Sequence, residues 1–352
     1  MRIGIPKEIK PLEGRVALIP EACGDLVRDG HEVLVGRGAG VASGFPDGAY
    51  AAIGARLVEQ PQALYAEADL VVKVKEPWGE EPDWLRPGQR LFSFLHLAAD
   101  PELVVRLLTS GVTALAFETL EHRGGLPILA PMSEIAGRLA VQIGARLLHA
   151  PEGGKGLLLG GLAAAEPGAV VVLGAGHAGA AAVRLAAAMG ARITVFDLDP
   201  DKLRRMDEIG PQVTSLYPFR DSLERAVGAA DLLIGAVLVP GARAPRLISR
   251  PQVAAMGAGS VVVDIAVDQG GCIETTRPTT YAAPTFLAEG VVHFGVTNMP
   301  GAVPRTASRA LCASLFPWVR RLARADWQAE PALAGAVNVE QGRLVLPALR
   351  SV

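Results

Sequence analysis

The sequence predicts two α/β domains with parallel sheets, joined by long helices, the first domain being discontinuous. Three observations carry that reading. Strand-like apolar runs alternate with helix-like ones, which is the signature of βαβ units. The series restarts after a long helical stretch near residue 133, and a second long helical run follows residue 304. A chain of 352 residues exceeds the roughly 150 of one ordinary domain. The expected division is residues 1–132 plus 300–352 for a substrate domain and 133–299 for a nucleotide domain.

In the first series, Glu32–Val35, Leu70–Lys75, Arg90–Leu95 and Val112–Phe117 read as strands. Glu21–Asp29 and Pro101–Leu108 read as helices between them. Ser133–Leu148 reads as one long helix with Ser133 as its N-cap, and Gly153–Gly156 as a turn. The second series begins with Val170–Leu173, apolar throughout as in the middle of a parallel sheet. The helix Ala178–Met189 and the strands Arg192–Phe196, Leu232–Ala236 and Ser260–Asp264 follow, and then the helical run Pro304–Ala323.

Composition narrows the function. Half of the residues are hydrophobic and 20% are charged, enough apolar material for packed cores and too much for disorder. Lys plus Arg number 34 and Asp plus Glu 36, a net charge of −2 that argues against phosphate-neutralising nucleic-acid binding. Three distant cysteines, Cys23, Cys272 and Cys312, form neither a zinc pattern nor a disulfide framework and suit a reducing cytoplasm. The opening residues 1–10 are too charged for a signal peptide. The apolar stretch 156–191 is broken by Glu166, Pro167, His177 and Arg184, so no membrane span is expected.

Gly174-Ala175-Gly176-His177-Ala178-Gly179 directly follows an apolar strand and opens a helix. That context gives the G-x-G-x-x-G pattern its force. Gly174 permits a tight turn, Gly176 lets backbone approach a diphosphate, and Gly179 lets helix and strand pack closely. The helix N-terminus, at Ala178, offers free N–H groups to the phosphates. Asp197 ends the next strand, about 20 residues on, where a carboxylate accepts from ribose hydroxyls and repels a 2′-phosphate. The expected cofactor is therefore NAD in a Rossmann-like fold, with Lys202 within reach of the ribose.

Polar residues stand at the ends of the other strands, where ligands of parallel sheets gather. Lys73 and Lys75 alternate with valines and so point to one side; His96, Glu118 and Asp268 follow strands, and Arg15 sits in a Gly-Arg turn. A lone loop cation is more often solvated, a lone His more often structural, and Asp before Gly-Gly is often a turn former. Beside a nicotinamide, however, a 2-oxo or 2-amino acid needs a cation for its carboxylate and a group that titrates near neutrality. Arg15, Lys75, His96 and Asp268 form such a set.

Several of these motifs together make the chain resemble the alanine dehydrogenases, whose family also includes the α subunit of nicotinamide nucleotide transhydrogenase. They are Ile5–Lys10 through Arg15–Leu18, Val72–Pro77, Leu95–Ala99, Pro131–Arg138, Val267–Gly271 and Asn298–Thr306, in the family's order and spread over nearly the whole chain. The resemblance implies that Arg15 and Lys75 bind the substrate carboxylate and carbonyl, that His96 and Asp268 are the catalytic acid–base pair, and that Asn298 lines the substrate pocket. It implies cofactor contacts from Ser133, Asp197, Lys202, Val237, Leu238, Ile265, Val267, Asp268, Asn298 and Met299. A cytosolic homohexamer acting on L-alanine, pyruvate and ammonia is implied too, with no nucleic-acid or membrane partner.

Departures from the family pattern stand out. His177 replaces a small residue or Val, and Pro218-Phe219 occupies a position where some members have a Ser near the adenine. Some members hold a divalent ion through a Glu matching Glu118 and a C-terminal His. Residues 322–327 contain no His here, so no metal is expected. Alternative functions are a soluble transhydrogenase-α-like NAD(H)-binding component, or a dehydrogenase of another 2-amino or 2-hydroxy acid.

Overall fold

The computed structural model describes residues 1–237 and 244–346. Leu238 therefore lies outside the described residues. The chain divides into two units, residues 1–132 with 301 onward and residues 133–300. One boundary falls inside the helix Leu129–Leu147. In chain order the strands are β1 (Arg2–Ile5), β2 (Glu32–Gly36), β3 (Arg56–Val58), β4 (Leu70–Val72), β5 (Arg90–Ser93) and β6 (Thr113–Ala116). Then come β7 (Ala169–Leu173), β8 (Arg192–Phe196), β9 (Val213–Leu216), β10 (Leu232–Gly235), β11 (Val261–Asp264), β12 (Thr285–Ala288), β13 (Val291–Phe294), β14 (Val337–Glu340) and β15 (Arg343–Leu344).

The first unit's sheet runs β15-β14-β6-β5-β4-β1-β2-β3. The chain winds outward from β1 through β2 to β3, then crosses back to β4 and winds the other way. The strand order thus reverses between β1 and β4, and the carboxyl ends of those strands open into the crevice where such folds bind ligands. The second unit repeats the plan with order β12-β13-β11-β10-β7-β8-β9, its reversal lying between β7 and β10. Val170–Leu173, Leu232–Ile234 and Val261–Val263 are buried along their whole lengths, as central parallel strands covered on both faces must be. Both units are Rossmann-like α/β folds. Leu34, Val71, Leu91 and Leu107 anchor one core, and Val171, Leu233, Val253 and Val262 anchor the other.

Four details differ from the sequence reading. The sheets are parallel only in part: β14 runs antiparallel to β6, β15 to β14, and β12 to β13. β4 stops at Val72 rather than Lys75, because the Val74 amide is taken by the Glu8 carboxylate at 2.6 Å and not by a neighbouring strand. Lys73 and Lys75, argued to share a side, have quite different surroundings. The helix expected from Ser133 begins at Leu129, so Ser133 sits inside it and is not its cap. Pro131 falls in the first turn, where its missing N–H goes without penalty and the helix can start before it.

Candidate active site

The glycine loop follows β7 at the reversal of the second sheet. Gly174 adopts φ +96°, a left-handed value that disfavours any side chain, and a Cβ there would lie 2.7 Å from the Ala236 oxygen. A Cβ on Gly179 would lie 1.7 Å from the Gly174 oxygen, so only glycine lets the helix His177–Ala188 come this close. Gly176 is the opposite case, since a Cβ there meets nothing within 4 Å. The space before the loop is open, and no side chain caps the helix, whose first N–H groups are left for a ligand. Open space over uncapped donors fits a dinucleotide diphosphate. Exposed His177 stands at the same helix start, and Ala178 beside it is buried.

Asp197 ends β8 and its carboxylate ties the loop together. It accepts from the Ala175 amide at 2.7 Å and from the Asp199 amide at 2.9 Å. Lys202 Nζ stands 3.9 Å from the same carboxylate. Val237 follows β10, with its side chain beside Gly174. Ile265 and Val267 lie in the turn after β11, and Met299 is buried with its carbonyl accepting from the Tyr281 hydroxyl at 3.1 Å. Asp268 belongs to that same turn, and one of its oxygens accepts from the Asn298 amide at 3.4 Å. Asn298 is itself left-handed at φ +58°.

Asp264 supports the turn that carries Asp268. It is almost fully buried and accepts from Ala266 N at 3.0 Å, Cys272 N at 2.9 Å and Ile273 N at 3.3 Å, with Cys272 Sγ at 3.6 Å. It therefore closes both ends of the loop. Burial raises its pKa despite these donors.

In the first unit the candidate residues cluster at the carboxyl ends of adjacent strands. Lys75 follows β4 and His96 follows β5, and the Phe94 amide donates to the Val74 carbonyl at 3.1 Å between those two ends. Arg15 is not a solvated loop cation: it is 2% exposed. Glu13 grips it twice, Nε to Oε1 at 2.7 Å and Nη2 to Oε2 at 2.5 Å, while Nη1 lies 3.3 Å from Met132 Sδ. Burial lowers the pKa of neighbouring Lys75, and the charge of Arg15 lowers it further. Among the described residues no hydrogen bond or ion pair engages Lys75 Nζ, and the Arg15 guanidinium, paired with Glu13, stands near enough to act on its charge.

Lys73, by contrast, is structural. Its ammonium is buried against Glu8 at 3.2 Å, Glu81 at 2.9 Å and the Glu76 carbonyl at 3.1 Å. Burial opposes its charge, but the two carboxylates outweigh that and raise its pKa. The same burial raises the pKa of Glu8, and Lys73 offsets it only in part. His96 takes a left-handed backbone, φ +49°, and its ring stacks on Phe94 with centroids 5.7 Å apart. Glu8, Glu13, Glu81 and Asp264 were not singled out in the sequence; only the fold brings them under the loops they hold.

A glycine loop at a strand-order reversal with an acid closing the next strand defines a Rossmann-like α/β protein of the dinucleotide-binding class. Comparison with known proteins narrows this further. Residues 4–136 match the family model described as "Alanine dehydrogenase/PNT, N-terminal domain", and residues 140–347 match the corresponding C-terminal domain. The chain belongs to the alanine dehydrogenase/PNT family. It is similar to proteins named alanine dehydrogenase from Mycobacterium tuberculosis, 49% identical with 98% of this chain and 95% of that protein covered, and from Bacillus subtilis, 48% identical with 92% and 86% covered. Among solved structures, one titled L-alanine dehydrogenase superposes with TM-score 0.96 at 47% identity, covering 100% of this chain and 98% of that one. A transhydrogenase from Sinorhizobium meliloti reaches TM-score 0.86 at 27% identity, covering 99% and 100%.

Proposed function

We propose that the protein is an NAD-dependent L-alanine dehydrogenase, interconverting L-alanine with pyruvate and ammonia. The observation that carries the reading is the buried Arg15 beside an ammonium without a side-chain partner, in a chain nearly half identical to proteins of that name. A transhydrogenase-like component that only binds nucleotide has no use for such a pair. The family and its Rossmann-like fold imply a pyridine nucleotide, and Asp197 favours NAD over NADP by repelling a 2′-phosphate.

Gly174, Gly176, Ala178, Gly179, Asp197 and Lys202 would hold the nucleotide, with Ser133, Val237, Ile265, Val267 and Met299 beside it. A nicotinamide held by these residues would supply the hydride acceptor for the amino acid's Cα. Arg15 and Lys75 hold the carboxylate and the carbonyl oxygen. His96 removes a proton from the water that adds to the resulting imine, and returns it as the carbinolamine expels ammonia. Asp268 stabilises the positive charge that develops on the imine, and Asn298 positions that carboxylate through its amide. The homohexamer implied by the resemblance belongs to the same proposal.

His96→Ala tests the assignment. Turnover is expected to fall by at least about a hundredfold while NADH affinity stays near that of the parent protein. Near-parent turnover would remove His96 from the mechanism.

A further inference from the structure

We infer that Glu118 is the positioning residue of His96: a carboxylate that holds the imidazole's backbone in a conformation it would not keep unaided. The inference rests on the proposed role of His96 in proton transfer. Glu118 lies in the turn after β6, beside the end of β5. Its Oε1 accepts from the His96 amide at 2.6 Å, and both its oxygens accept from the Leu95 amide, at 3.1 and 3.3 Å. His96 itself is left-handed, φ +49° and ψ 36°, a region that costs a residue with a Cβ about 1 kcal/mol or more. Two amides aimed at one carboxylate offset that strain and point the His96 Cα–Cβ bond in one direction.

The contact is to the backbone first. His96 Nδ1 stands 3.9 Å from Oε1, beyond a hydrogen bond, so the ring is not locked by Glu118 and its nitrogens remain available. Orientation of the ring is left to Phe94, whose plane lies within 4° of it. Glu118 therefore differs from the acid of a Ser-His-Asp triad, which grips the imidazole nitrogen directly.

The same device recurs under the other candidate residues. Glu13 accepts from the Arg15 amide at 3.0 Å as well as from its guanidinium. Glu8 accepts from the Val74 amide at 2.6 Å and the Lys75 amide at 3.4 Å. Asp264 closes the loop that presents Asp268. Each of the four residues on which the proposed chemistry depends thus sits on a loop whose amides converge on its own carboxylate. Glu118 is the most exposed of these, with 21% of its side chain accessible, so its removal is the least disruptive to folding.

Glu118→Ala, Glu118→Gln and Glu118→Asp separate positioning from mere stability. The assay is NADH oxidation with pyruvate and ammonium, reported with KM for pyruvate, NADH affinity and thermal midpoint. Glu118→Ala is expected to lose about tenfold to a hundredfold in kcat, the scale of a misplaced catalytic group, with KM and NADH affinity within about threefold. Glu118→Gln, which keeps an oxygen for the amides, is expected to restore most of that loss. Glu118→Asp, one methylene short, is expected to resemble Ala, and it replaces Ala in the comparison if that variant does not fold. A kcat within about threefold of the parent in Ala or Asp overturns the inference, and so does a Gln variant as impaired as Ala. A parent protein that does not reduce pyruvate with ammonium overturns instead the functional reading on which the inference rests.

Discussion

Lys75 shows how far a single residue's surroundings redirect its chemistry. Burial and the charge of Arg15 both push its pKa below the 10.5 of an ordinary lysine. The protonated form is disfavoured in the folded protein, so stability rises as pH climbs through the lowered value, while the proposed substrate site loses the Lys75 charge over the same range. Affinity for a non-reacting pyruvate analogue such as oxamate, measured with NADH bound, should weaken with rising pH beginning below 10.5. Lys75→Arg should abolish that alkaline limb, since a guanidinium keeps its proton. An unchanged affinity up to the ordinary lysine range would mean that the Lys75 ammonium does not meet the carboxylate. That Lys75, His96 and Asp268 follow strands was legible in the sequence, as was the turn that carries Arg15. Their supports were not, because Glu13 before Arg15 and Glu8 far from Lys75 look like ordinary charges until the chain folds.

At the scale of elements, two helices meet in the second unit with almost no room between them. A Cβ at Gly137, in the helix Leu129–Leu147, would lie 2.0 Å from the Ala178 oxygen, at the start of the nucleotide-binding helix. A Cβ at Gly144 would reach Leu232 at 2.5 Å. Glycine inside a helix ordinarily costs about 1 kcal/mol against alanine. At Gly137 that preference reverses, because the obstacle is backbone and cannot rotate away. Gly137→Ala is expected to destabilise by about 1–3 kcal/mol and to weaken NADH binding, read by thermal denaturation and by titration. A raised thermal midpoint with unchanged affinity would contradict the close packing. The long helix was legible in the sequence, but its start was not, because Pro131 reads as a boundary and is instead tolerated in the first turn. β4 was read too long for a related reason: period-two alternation continues to Lys75, while a side chain has already taken the Val74 amide.

At the scale of the whole molecule, the alternation of strands and helices was enough to recognise two α/β series, and the chain divides into two units at Ser133 and Gly301. Strands β1, β3, β9 and β12 to β15 were not read from the sequence, since each is only two to four residues long and carries little apolar pattern. Among the described residues no helix is long and apolar enough to cross a membrane. The proposed reaction is the reductive amination of pyruvate and its reverse. Product analysis tests it most directly: purified protein, pyruvate, ammonium and NADH, with amino acid, hydroxy acid and NADH quantified together. L-alanine is expected to form mole for mole with NADH consumed, with no consumption when ammonium is left out. Lactate as the product, or NADH bound but never consumed, would contradict it.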